Sequence, residues 1–409
     1  LEELNSDLSL ALGTASLSPI ENVAAYSVFA NGGKSVEPYF LSKITEEYCI
    51  SENSGKETNH YIFDIDRSGL RYKPGDSMGF YPTNDSKLAK ETVRIIGAKK
   101  DVIIETKETG KIELFDALLN RFTIHRAGKK FLSAVVSKMK KGKDKDNLNE
   151  ILEDRDKTDK YLFTRDCIDI LNEHPVHFEP QEFIDTLSPI TPRLYSISSS
   201  PKVHPGEIHL TIAIVKYNNF ERDRYGLATG HLAKEVEVNK TKIPVYVQPT
   251  KEFILPKDKS KDIIMVGPGT GIAPFRAFIE HRKATEATGR NWLFFGEVNQ
   301  DSTFFYNDEW AEYMKGGDLD KLTTAFSRDQ EDKIYVQHRL LSNAKEIWEW
   351  LENGAYFYVC GDKQYMAKDV HKALIEIAEK EGKMKKKDAE NYINQTLMKD
   401  EHRYLRDVY

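Results

Sequence analysis

Residues 262–283 read DIIMVGPGTGIAPFRAFIEHRK. A short apolar run meets Gly267, Gly269 and Gly271, and a helix-spaced segment follows. Strand, glycine turn and helix in that order belong in a parallel sheet covered by helices. Glycines at such a junction let backbone N–H groups approach a phosphate closely, and the start of the helix favours negative charge. A tight turn without a ligand would use the same residues, but the strand–turn–helix context favours the phosphate site. No Lys-Ser/Thr pair follows the last glycine, so this is not a P-loop. Ile272 stands where G-x-G-x-x-G needs its third glycine, and no clear acidic partner for a ribose hydroxyl follows about 20 residues on.

NWLFFGE (291–297), LTTAFS (322–327) and AYFYVCGD (355–362) are further buried-strand candidates, separated or followed by helical spacing. Ser327 and Arg328 follow LTTAF, at the strand end where such sheets bind ligands. Arg328 and Lys333 suit a 2′-phosphate, and Tyr335 an adenine. A charged surface loop is the plainer reading of the same residues.

Upstream the texture differs. TNHYIFDID (58–66) alternates like a half-buried strand, and LRYKPGDSMGFYP (70–82) reads as strand, turn, strand. Residues 86–185 carry helix-spaced apolar positions such as Leu114, Leu118 and Phe122, and read as an all-helical insert. KMKKGKDKDN (138–147) reads as a solvated loop, though Lys138, Lys140 and Lys141, with Lys129 and Lys130, could offer a docking patch for an acidic partner. Strand texture returns at 191–200, 208–217 and 243–249. The expected organisation is a tail or linker over 1–36, one antiparallel β-barrel from 37–85 and 186–256, a helical connecting domain over 86–185, and a parallel α/β domain over 257–409. Arg193 and Tyr195, two apart on a strand, share one face, where a cation and a ring suit a phosphate and a flat heterocycle. An exposed sheet face is the alternative.

Lys plus Arg number 59 and Asp plus Glu 65, a net charge of −6 that argues against a nucleic-acid-coating protein. No apolar run approaches the roughly 20 residues of a membrane span. Cys49, Cys167 and Cys360 have neither disulfide-framework nor metal-ligand spacing, so no metal site and a reducing, cytoplasmic setting are expected. The chain begins at Leu1, as a processed chain or fragment would.

Taken together, RLYS (193–196), YGLATGHLAKE (225–235), GPGTGIAPFRAF (267–278), FSRDQ…KIYVQ (326–337), YVCGDKQYMAKDV (358–370) and RYLRDVY (403–409) resemble the ferredoxin–NADP reductase-like half of the diflavin reductases. The terminal RDVY and the run NWLFFGE look most like the sulfite reductase branch; NADPH–cytochrome P450 reductase is also similar. The resemblance covers residues 37–409 and implies an FAD-binding barrel, interrupted by a helical connecting domain and followed by an NADP-binding domain.

It implies roles for residues too. Arg193, Leu194, Tyr195 and Ser196 would bind FAD, with Arg193 at the pyrophosphate, Tyr195 on the isoalloxazine and Ser196 near its N5. Thr211, Ile212, Ala213 and Tyr217 would add contacts, and Gly226, Leu227, Ala228 and Thr229 would cradle the FAD pyrophosphate with backbone donors and the Thr229 hydroxyl. Thr270 would meet the NADP pyrophosphate. Ser327, Arg328 and Lys333 would take its 2′-phosphate, Tyr335 and Gln337 its adenosine, and Asp369 a further contact. Cys360 would pack beside the nicotinamide with Asp407 countering its charge, and Tyr409 would stack on the flavin. Without the resemblance, Cys360 is a small buried residue and Tyr409 a tyrosine at a frayed end. The implied activity passes hydride from NADPH to FAD, then electrons to an FMN or flavodoxin-type partner and a sulfite reductase hemoprotein, with no FMN in this chain. A stand-alone reductase for a separate flavodoxin or hemoprotein is the alternative.

Overall fold

A computed structural model describes residues 40–51, 55–106 and 110–409; the expected tail over 1–36 lies outside the described residues. Three strands come first: β1 (Phe40–Cys49), β2 (Thr58–Asp64) and β3 (Ser77–Phe80). The segment from 86 to 185 follows, with helices at Ser86–Ile95, Leu114–Asn120, Lys129–Lys138, Lys143–Glu153, Arg155–Phe163, Cys167–Glu173 and Pro180–Thr186. It is not all-helical, because β4 (Ile103–Thr106) and β5 (Gly110–Glu113) pair within it as a two-stranded antiparallel sheet. The charged stretch 138–147 is not one loop either. A helix starts at Lys143, where Asp144 and Asp146 lie in the first turn and suit its positive end.

The chain then returns to β6 (Arg193–Ser196), β7 (Glu207–Ala213), the hairpin β8 (Lys216–Asn219) and β9 (Arg222–Tyr225), and β10 (Ile243–Gln248). Six strands from both sides of the insertion form one sheet in the order β6-β3-β10-β1-β2-β7. A bridge between Ile197 and Leu210 joins its two edges and closes it. Tyr61, Phe63, Met78, Phe80, Leu210 and Val245 fill the interior. The helical segment is anchored to the β8–β9 hairpin by buried charge: Arg224 on β9 meets Asp166 at 2.8 Å and Asp169 at 2.6 Å. Asp166 also caps the helix Cys167–Glu173.

The remainder is a parallel sheet of β11 (Ile263–Val266), β12 (Asn291–Glu297), β13 (Lys321–Phe326), β14 (Tyr356–Gly361) and β15 (Tyr404–Val408). Its order is β13-β12-β11-β14-β15. The direction of winding reverses at β11, so the glycine turn lies at the point where such sheets open a crevice. Its three central strands, β11, β12 and β14, are buried on both faces, which explains their largely apolar runs, whereas the edge strands β13 and β15 are partly open.

The half-buried reading of β2 does not hold. Tyr61 and Phe63 point into the barrel, yet His60 on the opposite face is also fully buried. His60 Nδ1 lies 2.8 Å from the Tyr306 hydroxyl, which lies 2.6 Å from Thr211 Oγ1. Arg276 donates to the Ser198 carbonyl at 2.8 Å and pairs with Glu280 at 2.9 Å. The outward polar face of β2 and β7 is thus sealed by the second sheet unit. Burial holds His60 down to about 2 and His209 to about 3, so both are neutral.

Candidate functional site

The two halves meet at the end of β6. The register of β14 and β15 sets Cys360 opposite Asp407. Ser196 Oγ donates to Asp407 Oδ2 at 2.7 Å, and Cys360 Sγ lies 3.9 Å from the same oxygen. Burial, reinforced by Asp407, pushes the Cys360 thiol well above its ordinary value, so it stays protonated and is no nucleophile. Beside this trio, Tyr195 stacks on Phe80 at 5.5 Å with a 9° interplanar angle.

Tyr409 is not on a frayed end. Its N–H donates to the Gly361 carbonyl at 3.2 Å, and its own carbonyl accepts from Lys363 N at 3.1 Å. Its hydroxyl lies 3.2 Å from Thr270 Oγ1, yet the residue remains 64% exposed. Any movement of the ring must come from side-chain rotation rather than a swinging tail.

A first cleft, about 310 Å³, opens at the start of the helix Leu227–Glu235, with His125, Arg224, Tyr225, Gly226, Leu227 and His231 in its wall. His125 Nδ1, Arg224 Nε and His231 Nε2 are buried without a hydrogen-bond partner. Burial, then Arg193 and Arg126, holds His125 to about 4. The helix start leaves backbone N–H groups without intrahelical acceptors. Unsatisfied nitrogens, a helix N-terminus and Arg193 close by fit a pyrophosphate.

Three expected contacts change. The Thr229 hydroxyl donates to the Gly226 carbonyl at 3.3 Å and accepts from Val215 N at 3.3 Å, so it braces the turn from within. The Thr211 hydroxyl is engaged by Tyr306, and Ile212 belongs to the barrel core. Their side chains are therefore closed to a ligand; Ala213 and Tyr217 remain partly open. Arg193 and Leu194 are exposed on β6, with Arg193 Nη1 bonded to Thr191 Oγ1 at 2.9 Å.

A second cleft, about 530 Å³, lies at the carboxyl edge of the parallel sheet. Pro268, Gly269, Ser327, Tyr335, Gln337 and Asp369 line it. Gly269 has a φ of +57°, and a Cβ on Gly271 would come within 2.2 Å of the Cys360 carbonyl, so neither position tolerates a side chain easily. Arg328 and Lys333 are exposed on the loop after β13 and have no carboxylate partner among the described residues. Asp329 secures that loop by accepting from Asn299 and Gln300. Thr270 faces Tyr409 rather than this cleft.

His125, His231 and the cleft-lining Glu297 were missed from sequence. Glu297 carried a signal, ending the apolar run NWLFFGE at the ligand edge. The two histidines carried none, since isolated histidines are common in cores. Of the five lysines in the docking patch, Lys129 bonds the Leu152 carbonyl, Lys130 the Asp185 carbonyl, and Lys138 pairs with Glu182.

Residues 34–231 match the model of the FAD binding domain, and residues 265–372 match that of the oxidoreductase NAD-binding domain. The fold and its two clefts define a flavin- and pyridine-nucleotide-binding oxidoreductase. The chain is 41% identical over 374 residues to the sulfite reductase [NADPH] flavoprotein alpha-component of Vibrio parahaemolyticus, covering 91% of this chain and 58% of that protein. The Bacillus subtilis counterpart is 40% identical over 375 residues (90% and 61%), and that of Photobacterium profundum 37% over 403 (98% and 65%). Its FAD- and NAD-binding parts are similar to those of these flavoprotein components, and the chain spans about three fifths of the length of the curated relatives it matches. Among the described residues, no helix is long and apolar enough to cross a membrane.

Proposed function

We propose that this chain is the NADPH-oxidising, FAD-carrying module of a sulfite reductase flavoprotein, which delivers electrons to an FMN or flavodoxin-type partner and onward to a hemoprotein. The observation that carries this reading is the junction of Ser196, Asp407 and Cys360, three residues from β6, β15 and β14 gathered around one carboxylate oxygen. Bound FAD and NADPH supply the hydride and electron chemistry. The chain supplies position and charge.

Tyr195, backed by Phe80, offers a flat face for the isoalloxazine. Ser196 holds the Asp407 carboxylate at the junction, where its charge would stabilise positive charge on a nicotinamide seated there. Cys360 contributes a neutral, polarisable wall. Tyr409 covers the flavin position until nicotinamide takes its place. Arg193, Gly226, Leu227 and Ala228 bind the FAD pyrophosphate. Thr270 meets the nucleotide pyrophosphate, and Ser327, Arg328 and Lys333 bind the 2′-phosphate. Tyr335, Gln337 and Asp369 hold the adenosine half.

Residues 86–185 act as the connecting domain between 37–85 and 186–256, with 257–409 binding the nucleotide. The free cysteines Cys49, Cys167 and Cys360 suit a reducing cytoplasm. The test is anaerobic mixing of the flavin-loaded protein with NADPH. Stoichiometric FAD bleached by NADPH, and reoxidised by an added FMN-loaded flavodoxin, is the expected result; a protein without FAD, or not bleached, ends this reading.

A further inference from the structure

The turn at 201–206 and the start of β7 bring His204, Glu207 and His209 together, with one ligand atom of each within 4.8 Å of the others. His209 Nε2 is 3.1 Å from Glu207 Oε2, and His204 Nδ1 is 3.8 Å from the same oxygen. The two imidazole centroids are 4.1 Å apart. Donor atoms on a tetrahedral zinc ion lie roughly 3.3–3.6 Å from one another, given bonds of about 2.0–2.2 Å. The observed spacings bracket that range.

The nitrogens facing away from the cluster are held as well. His204 Nε2 lies 3.1 Å from Glu280 Oε1. His209 Nδ1 lies 3.1 Å from His60 Nε2, whose other nitrogen meets Tyr306. Metal-binding imidazoles have this second partner, which fixes ring orientation and leaves the facing nitrogen with its lone pair. Glu280 is itself fixed by Arg276 and by Ser200 N at 2.7 Å.

We propose that His204, Glu207 and His209 form a divalent transition-metal site, filled best by Zn²⁺, with a fourth position open to water. Two histidines and one carboxylate are a zinc donor set. The ligands belong to the barrel, whereas Glu280 and Tyr306 come from the nucleotide-binding half. A bound ion therefore stiffens the seam between the halves and takes no part in electron transfer.

The test uses metal-free, FAD-loaded protein titrated with Zn²⁺ by calorimetry and with Co²⁺ by absorption to the red of the flavin. One Zn²⁺ per chain, a higher melting temperature with Zn²⁺ and tetrahedral Co²⁺ bands are expected. Glu207→Gln changes a part-exposed side chain and leaves folding intact; it and His204→Gln should each weaken Zn²⁺ binding at least tenfold with an unchanged flavin spectrum. His177→Gln, at the exposed pair with Glu179, should not weaken it. Absence of a stoichiometric site, affinity that survives both cluster substitutions, or affinity lost with His177→Gln would each overturn the proposal; the cluster would then be only a hydrogen-bond network.

Discussion

Ser196 and Asp407 are separated by 211 positions in the chain, and the hydroxyl of one donates to the carboxylate of the other at 2.7 Å. The bond crosses from the barrel to the parallel sheet. It ties the proposed flavin-facing strand β6 to the proposed nicotinamide-facing strand β15 and fixes where a negative charge stands between them. Asp407→Asn should slow flavin reduction by NADPH about 10²-fold, the scale of losing one pre-aligned electrostatic contact, while FAD stays bound. Ser196→Ala should slow it less, about tenfold, because the carboxylate remains. Stopped-flow bleaching measures both; full-rate reduction in Asp407→Asn would remove the residue from the reaction.

Nucleotide preference rests on the loop after β13. Arg328 and Lys333 lack carboxylate partners among the described residues and so are available to a phosphate. Arg328→Ala or Lys333→Ala should weaken NADPH tenfold or more, in line with about 1.5–3 kcal/mol for a charge-assisted hydrogen bond, and leave NADH nearly unchanged. Comparing KM for both cofactors decides this, and equal losses would count against the 2′-phosphate assignment.

Tyr409 is pinned through its backbone at Gly361 and Lys363, so only its ring can yield. A ring that must rotate off the flavin before nicotinamide stacks lowers apparent affinity by the fraction of time it is closed. Tyr409→Ala should bind oxidised NADP more tightly and shift preference toward NADH, which depends more on ring stacking. Titration of the flavin spectrum with NADP reads the first effect and steady-state kinetics the second. If both stay as in the wild type, Tyr409 does not cover the flavin.

His231 gives the first cleft a pH dependence. Burial holds it to about 4, against an ordinary 6.5. The unfolded chain therefore takes up a proton below about 6.5 that the folded chain refuses until about 4, so stability falls as pH drops through this window. The loss amounts to roughly 3 kcal/mol once protonation is complete, at 1.36 kcal/mol per pH unit. His231→Asn should flatten the stability slope between those pH values in urea unfolding; a slope identical to the wild type would assign the acid lability elsewhere.

Asp169 accepts from Arg222 and Arg224 at the root of the helical segment. Asp169→Ala removes one of the two carboxylates that face the buried Arg224, which keeps Asp166, and should destabilise the fold by about 1.5–3 kcal/mol, the scale of a hydrogen bond to a charged group. Chemical denaturation measures the loss. A change below about 1 kcal/mol would show these pairs to be as weak as exposed ones.

The architecture was legible wherever a segment's own pattern decides its burial. Unbroken apolar runs such as Ile263–Val266 and Asn291–Glu297 can only be strands covered on both faces, and Gly267–Gly271 between strand and helix marks the crevice. The β-rich pieces on either side of the helical stretch likewise announced one interrupted sheet. The hairpin at Ile103–Glu113 escaped because two four-residue strands are too short to establish a period.

Tertiary structure alone decided the rest. Alternation in Thr58–Asp64 says that its two faces differ, but not that His60 will be sealed beneath Tyr306. Nothing local to Thr211 reveals that its hydroxyl is engaged by a residue 95 positions away. Cys360 and Asp407 become neighbours through the β14–β15 register, and Ser196 joins them only when barrel and sheet dock. A sequence period records how one element divides its surface between two sides. Which side is then covered, and which side chains meet across the seam, depends on contacts whose partners lie hundreds of residues apart.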